Sequence, residues 1–197
     1  MKTKVAILVS ILLLISTFAF SEAEHSHKSK YAGEEKRKIK SLSATDIEEL
    51  QNGKGWGLAK AAELNGVPGP VHLLEMKEEI DLSAKQIQAI ENLYKKMRQE
   101  AIPLGLKLIE LETELNNHFA NRTITDEILR QVLQEIFDVH RQLRYVHLST
   151  HLKTPDILQS EQIILYNKLR GYSSDDPCDN VPKGHDPEMW KKHNNCP

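Results

Sequence analysis

The 197-residue chain carries 26 Lys and Arg against 28 Asp and Glu, a formal charge of −2, with both signs mixed along its length. That balance excludes the basic stripe of a nucleic-acid-binding surface. With 6% aromatic residues, the composition suits slender helical packing better than a β-sandwich.

The chain opens like an export signal. Lys2 and Lys4 precede an apolar run from Val5 to Phe20, and Ser21-Glu22-Ala23 supplies small residues for a signal peptidase. The run is short of the about 20 residues a membrane-spanning helix needs. Residues 1–23 are therefore expected to be cleaved, leaving a periplasmic chain with no stable membrane insertion. Residues 24–54, polar and mixed in charge, are expected to be a disordered leader, because so few apolar side chains cannot offset the entropy of ordering.

Residues 55–172 read as one helical domain. A short helix is expected from Leu58 to Leu64, stopped by Asn65-Gly66, and Pro70 sits where the next helix, running to about Ile80, would begin. Ser83 with Gln86 three residues on has the form of a capping box. Ile87, Ile90, Tyr94, Met97, Ala101, Leu104, Leu108, Leu111 and Leu115 then recur at three and four in alternation, a heptad seam. Pro103 lies within it and is expected to bend the helix near Gln99 to Ile102. After a turn at Ala120 to Thr125, a second seam follows: Leu129, Val132, Ile136, Val139, Leu143 and Val146. Two long seams joined by a short turn must fold back on one another. A last helix is expected from Leu158 to Arg170, with Gly171 as its stop. No period-two run bounded by turns is present. The expected class is all-α: a long, antiparallel, kinked helical hairpin with short flanking helices.

Leu82-Ser83-Ala84-Lys85-Gln86 and Leu158-Gln159-Ser160-Glu161-Gln162 resemble the paired Leu-Thr-x-x-Gln motifs of the Spy/CpxP family of periplasmic chaperones. Two further stretches are similar to that family, Ala62 to Pro70 and Val146 to Leu152. Ser83 replaces the first threonine and keeps its capping hydroxyl. Gln159 replaces the second, so Thr154 or Asp156 is expected to cap the last helix. Leu82 and Leu158 are expected to anchor the core, with Gln86 and Gln162 bonded to nearby backbone. The resemblance implies an antiparallel homodimer whose concave face holds unfolded or misfolded envelope proteins without ATP, as a chaperone or envelope-stress modulator, with no cofactor required. A thin hairpin fits that role, because it has too little interior to cover both seams and their apolar flanks.

The histidines open an alternative. His140, His147 and His151 share one face of the second arm, and the i, i+4 pair could hold a metal through its imidazoles. Folding back about Arg122 brings Met97 near His147 and Tyr94 near His151, with Glu91 as a carboxylate candidate. The resemblance extends to CnrX-type periplasmic metal sensors, which use a His-x-x-x-His pair. It implies a heavy-metal-binding sensor or resistance protein taking Zn, Cu, Ni or Co and signalling to a sensor protein.

The tail, 173–197, holds Cys178, His185, Met189, His193 and Cys196. Two readings stand: a disulfide, favoured in an oxidising compartment, or a soft-metal site. Asp186-Pro187 marks a helix start, and Met189 and Trp190 are expected to dock it. No phosphate loop, Cys-x-x-Cys pair or His-Glu-x-x-His motif is present, so no enzyme is expected.

Overall fold

The computed structural model describes residues 27–173, Cys178, Val181, residues 186–193 and Cys196. The expected signal segment lies outside them, and none of the described helices is long and apolar enough to cross a membrane. The chain divides into two units, Met1–Glu35 and Lys36–Pro197. The described part of the first is a short turn, in which Glu34 N–H donates to the Tyr31 carbonyl at 3.0 Å.

The second unit is all-helical among its described residues. Its frame is the expected hairpin of α4, Ala84–Ala120, and α5, Asp126–His151. The capping box forms: Ser83 Oγ accepts from Gln86 N–H at 3.3 Å, and Gln86 Oε1 accepts from Ser83 N–H at 2.9 Å. Pro103 does not divide α4 into two helices. Arg122, at φ +57°, carries the chain out of α4, and Thr125 Oγ1 caps α5 by accepting from Ile128 N–H at 3.2 Å. The seams meet as the spacing requires. Met97, Ala101, Leu108 and Leu111 are buried against Val139, Leu143 and Val146, with Tyr94, Leu104 and Ile136 half-buried beside them.

The expected disordered leader is corrected over residues 36–54. Ile39, Leu42 and Leu50 are each at most 4% exposed and belong to the hairpin core. Helix α1, Ala44–Gln51, has its own capping box, in which Ser43 Oγ accepts from Asp46 N–H and Asp46 Oδ2 from Ser43 N–H. The Ser43 hydroxyl, and after it the Trp56 indole, donate to the Asp46 carboxylate and hold its pKa below the usual range. A Cβ on Gly105 would collide with the Leu50 carbonyl, so the missing side chain lets α1 lie directly on α4. Burying three aliphatic side chains at about 1.5–3 kcal/mol each offsets part of the ordering cost, and mean polarity conceals them.

A second core joins α3, Pro70–Glu75, and α6, Ser160–Leu169, to the start of α4 through Leu73, Ile80, Leu82, Ile90 and Tyr166. Helix α3 ends five residues before Ile80, where the chain turns through Asp81 at φ +53°. Neither Thr154 nor Asp156 caps α6. Gln159 takes the N-cap position and its N–H donates to Gln162 Oε1 at 2.9 Å. Thr154 is fully buried and donates instead to the Pro68 carbonyl at 2.6 Å. The motif glutamines do bond to backbone, Gln86 to the Ile157 carbonyl and Gln162 to that of Asp81. They also bond to each other, Gln86 Nε2 to Gln162 Oε1 at 2.7 Å and Gln162 Nε2 to Gln86 Oε1 at 3.3 Å.

Cys178 and Cys196 form a disulfide, which sets aside thiolate metal binding in the tail; His185 lies outside the described residues. Asp186 Oδ1 caps α7, Pro187–His193, through Met189 N–H at 2.9 Å. Met189 is 73% exposed and does not dock the tail, correcting that expectation. His193 ends α7.

Candidate functional site

Where the two cores meet, the secondary structure encloses a cavity of about 490 Å³. Helix α5 contributes His147 and His151, and α4 contributes Tyr94 and Met97. Helix α2, Lys60–Glu63, supplies Glu63, and the start of α3 supplies Gly69 and His72. The glycine-rich approach closes one wall with Trp56. Trp56 sits at φ +44°, a costly conformation for a bulky residue. It is held there by donating Nε1–H to Asp46 Oδ1 at 2.8 Å and by ring contact with His140 at 5.4 Å.

The floor is polar and oriented. His151 Nδ1 lies 2.9 Å from the Val67 carbonyl. A carbonyl can only accept, so Nδ1 carries a proton. A Cβ on Gly69 would lie 2.8 Å from His151 Nε2, so glycine is what lets the ring sit there. One turn earlier, His147 is 2% exposed, and its Nε2 is buried with no hydrogen-bond partner among the described residues. Burial, and secondarily the charge of His151, pushes the His147 pKa down to about 4. His147 is therefore held neutral at neutral pH by desolvation.

Glu63 is fixed from behind. Its Oε1 accepts from Tyr166 Oη at 2.6 Å, Tyr172 Oη at 3.1 Å and Arg170 Nε at 3.1 Å. Burial, followed by the bond to Glu63, raises the Tyr166 pKa and keeps that hydroxyl a donor. The other oxygen, Oε2, would lie 3.5 Å from a Cβ on Gly69, on the side of His151. At the rim, His72 Nδ1 and Glu75 Oε2 are 2.8 Å apart. No three His, Cys, Asp or Glu side chains among the described residues converge as a ready metal cluster.

The cavity thus brings together His147, His151, Met97 and Tyr94, as the register of the seams predicts. It does not gather His140 or Glu91. His140 packs on Trp56 and faces another depression, and Glu91 is exposed and lines no wall of the cavity. Sequence reasoning passes over Glu63, Val67 and Gly69 as site residues. The signal was within reach, since all three lie in the Ala62 to Pro70 stretch, but their roles depend on α5 arriving from more than 80 residues away.

Another stretch of the α5 surface is built differently. Leu133, Phe137 and Tyr145 are 47%, 62% and 70% exposed. A depression of about 410 Å³ is lined by Leu133, Ile136, Phe137, His140, Arg141 and Arg144. Arg141 also lines the next one, about 400 Å³, with Pro103, Leu104 and Tyr145. The two form a strip of apolar side chains edged by guanidinium groups. No family model, curated protein or solved structure matches the chain.

Proposed function

We propose that this protein is an exported, ATP-independent holdase: a binding protein, not an enzyme, that loosely retains non-native envelope polypeptides and works as a homodimer in the manner of the Spy/CpxP chaperones it resembles. The observation that carries this reading is the α5 strip. Large apolar side chains set at intervals of four and eight along one helix, with Arg141 and Arg144 between them, leave oily surface in water that a folded monomer has no use for. Contiguous exposed apolar surface rimmed by polar groups marks an interaction site. The guanidinium groups favour clients carrying acidic residues and give reach without a fixed register, so binding is weak and tolerant of sequence. The Cys178–Cys196 bond is in keeping with an oxidising compartment.

The test is aggregation of a chemically denatured client, diluted with a near-equimolar amount of the chain lacking residues 1–23 and followed by light scattering. Suppression is expected. Phe137→Asp with Tyr145→Asp should remove most of it while leaving the helical circular dichroism unchanged, since both side chains are largely exposed. A wild-type protein that leaves client aggregation untouched would sink the reading.

A further inference from the structure

We propose that residues 53–57 form a strap that opens and closes over the cavity, with Trp56 as its latch and the Asp46 carboxylate as its catch. This goes beyond the holdase reading and rests on none of the residues that carry it.

The segment runs between two fixed ends. Gly53 is buried on α4, where a Cβ would come 3.1 Å from Ile102 Cγ1, and the Asn52 carbonyl before it accepts from Arg98 Nε at 2.9 Å. Leu58, 6% exposed, re-enters the hairpin core. Between these ends Lys54, Gly55 and Gly57 are exposed and Trp56 is half-buried. All five residues line the cavity, together with Tyr94 and Met97 of α4. Movement confined to 54–57 therefore changes the cavity and leaves both ends in place.

The glycines allow more freedom than the closed form uses. Gly53 and Gly57 sit at φ +60° and +69°, a region glycine enters without strain. Gly55 has no such need: its φ lies outside that region, and a Cβ there would meet nothing within 4 Å. The closed strap has room for alanine at this position. What glycine adds at 55 is access to other backbone conformations.

Trp56 is held shut against its own backbone. At φ +44° a bulky residue is strained, and such strain persists only while the surroundings fix it. Here Nε1–H donates to Asp46 Oδ1, and the ring packs at the edge of the hairpin core, tilted against His140. The catch is itself rigid, because Asp46 Oδ2 accepts from both the N–H and the hydroxyl of Ser43 in the α1 capping box. Against these contacts stand the backbone strain and the entropy of ordering three glycines, which lose more freedom than any other residue. Each opposing contribution is of the order of a single hydrogen bond. The closed strap is thus favoured only slightly, and its opening is a local event that needs no unfolding. With Trp56 swung out, one wall is removed and a cavity of about 490 Å³, a size suited to small molecules, is accessible.

The test treats the chain lacking residues 1–23, with its disulfide closed, with dilute hydrogen peroxide and follows methionine sulfoxide by peptide mass spectrometry. Met97, 5% exposed on the cavity wall, is oxidised when the strap opens, and Met189, 73% exposed, reports unhindered reaction in the same molecule. In the wild type, Met97 should react well below the Met189 rate. Sub-denaturing urea should leave the Met97 rate unchanged, because a local opening exposes little surface. Trp56→Phe keeps an aromatic ring but releases the catch, and should speed Met97 oxidation about fivefold. Gly55→Ala fits the closed strap and restricts the open one, and should slow it about two- to fivefold. Met189 should keep its rate in both variants. A Met97 rate that both variants leave at the wild-type value, or that both shift in the same direction, would overturn the strap. So would a rate that climbs with urea in step with global unfolding. Each outcome leaves the holdase reading as it was, since that reading rests on Phe137 and Tyr145.

Discussion

Along α5, the apolar side chains turned toward α4 are packed in the core, whereas Leu133, Phe137 and Tyr145 are largely exposed. Leu143 and Val146 are locked into the hairpin core, and His151 is set by the Val67 carbonyl. Phe137 and Tyr145, from the same helix and of comparable apolar size, are more than half exposed. The difference shows what each side is suited to. A pre-set geometry serves a small ligand that demands distances and directions. An unfixed apolar strip serves partners that differ from one encounter to the next, because nothing in it needs to be matched.

The comparison breaks most readily at the core. Leu143→Ala should cost about 2–5 kcal/mol, since the space it vacates cannot collapse inside the hairpin. Phe137→Ala should change stability by no more than about 0.5 kcal/mol. Urea unfolding of the two variants would show whether the sides differ as described, and equal costs would erase the distinction.

Acid sharpens it next. In metal-free protein, the unfolded chain takes up a proton at residue 147 near pH 6.5, and the folded chain only near pH 4. The unfolded state thus binds more protons in that window, so stability falls as pH drops from about 6.5 to 4, by up to ~3 kcal/mol. His147→Leu should remove this slope, whereas Phe137→Leu should leave it in place. Denaturant midpoints across that pH range provide the measurement.

The smallest effect concerns the motif glutamines. Removing either side chain leaves its partner's amide half-satisfied, so Gln86→Ala and Gln162→Ala should each cost about 1–3 kcal/mol. Together they should cost less than the sum, by about 0.5 kcal/mol or more. Strict additivity in a double-mutant cycle would mean that the pair bonds only to backbone.

Much of this was legible before any coordinate. The seams from Ile87 to Leu115 and from Leu129 to Val146 are periodic enough to require a hairpin, and capping by Ser83 and Gln86 follows from local chemistry. Of the site, only the α5 pair and its facing residues, Met97 and Tyr94, could be read, because helical spacing and a fold-back register fix them. The order of residues 36–54 could not. Ile39, Leu42 and Leu50 look sparse in a polar stretch, and they become core only because Gly105 leaves a place for α1. The exclusion of His140 from the site was equally hidden, since Trp56 draws it toward another surface.

Sequence by itself determined the two long helices, the capping box at Ser83 and the two facing seams, since these follow from spacing and from hydrogen bonds only a few residues apart. Tertiary structure alone decided which polar groups share a cavity: Glu63 beneath Tyr166 and Arg170, His151 against Val67 and Gly69, and His147 buried with its Nε2 unpaired among the described residues. The physical reason is range. Periodicity acts within one helix, whereas desolvation and hydrogen bonding at the floor depend on which distant segments the packed hairpin brings into contact.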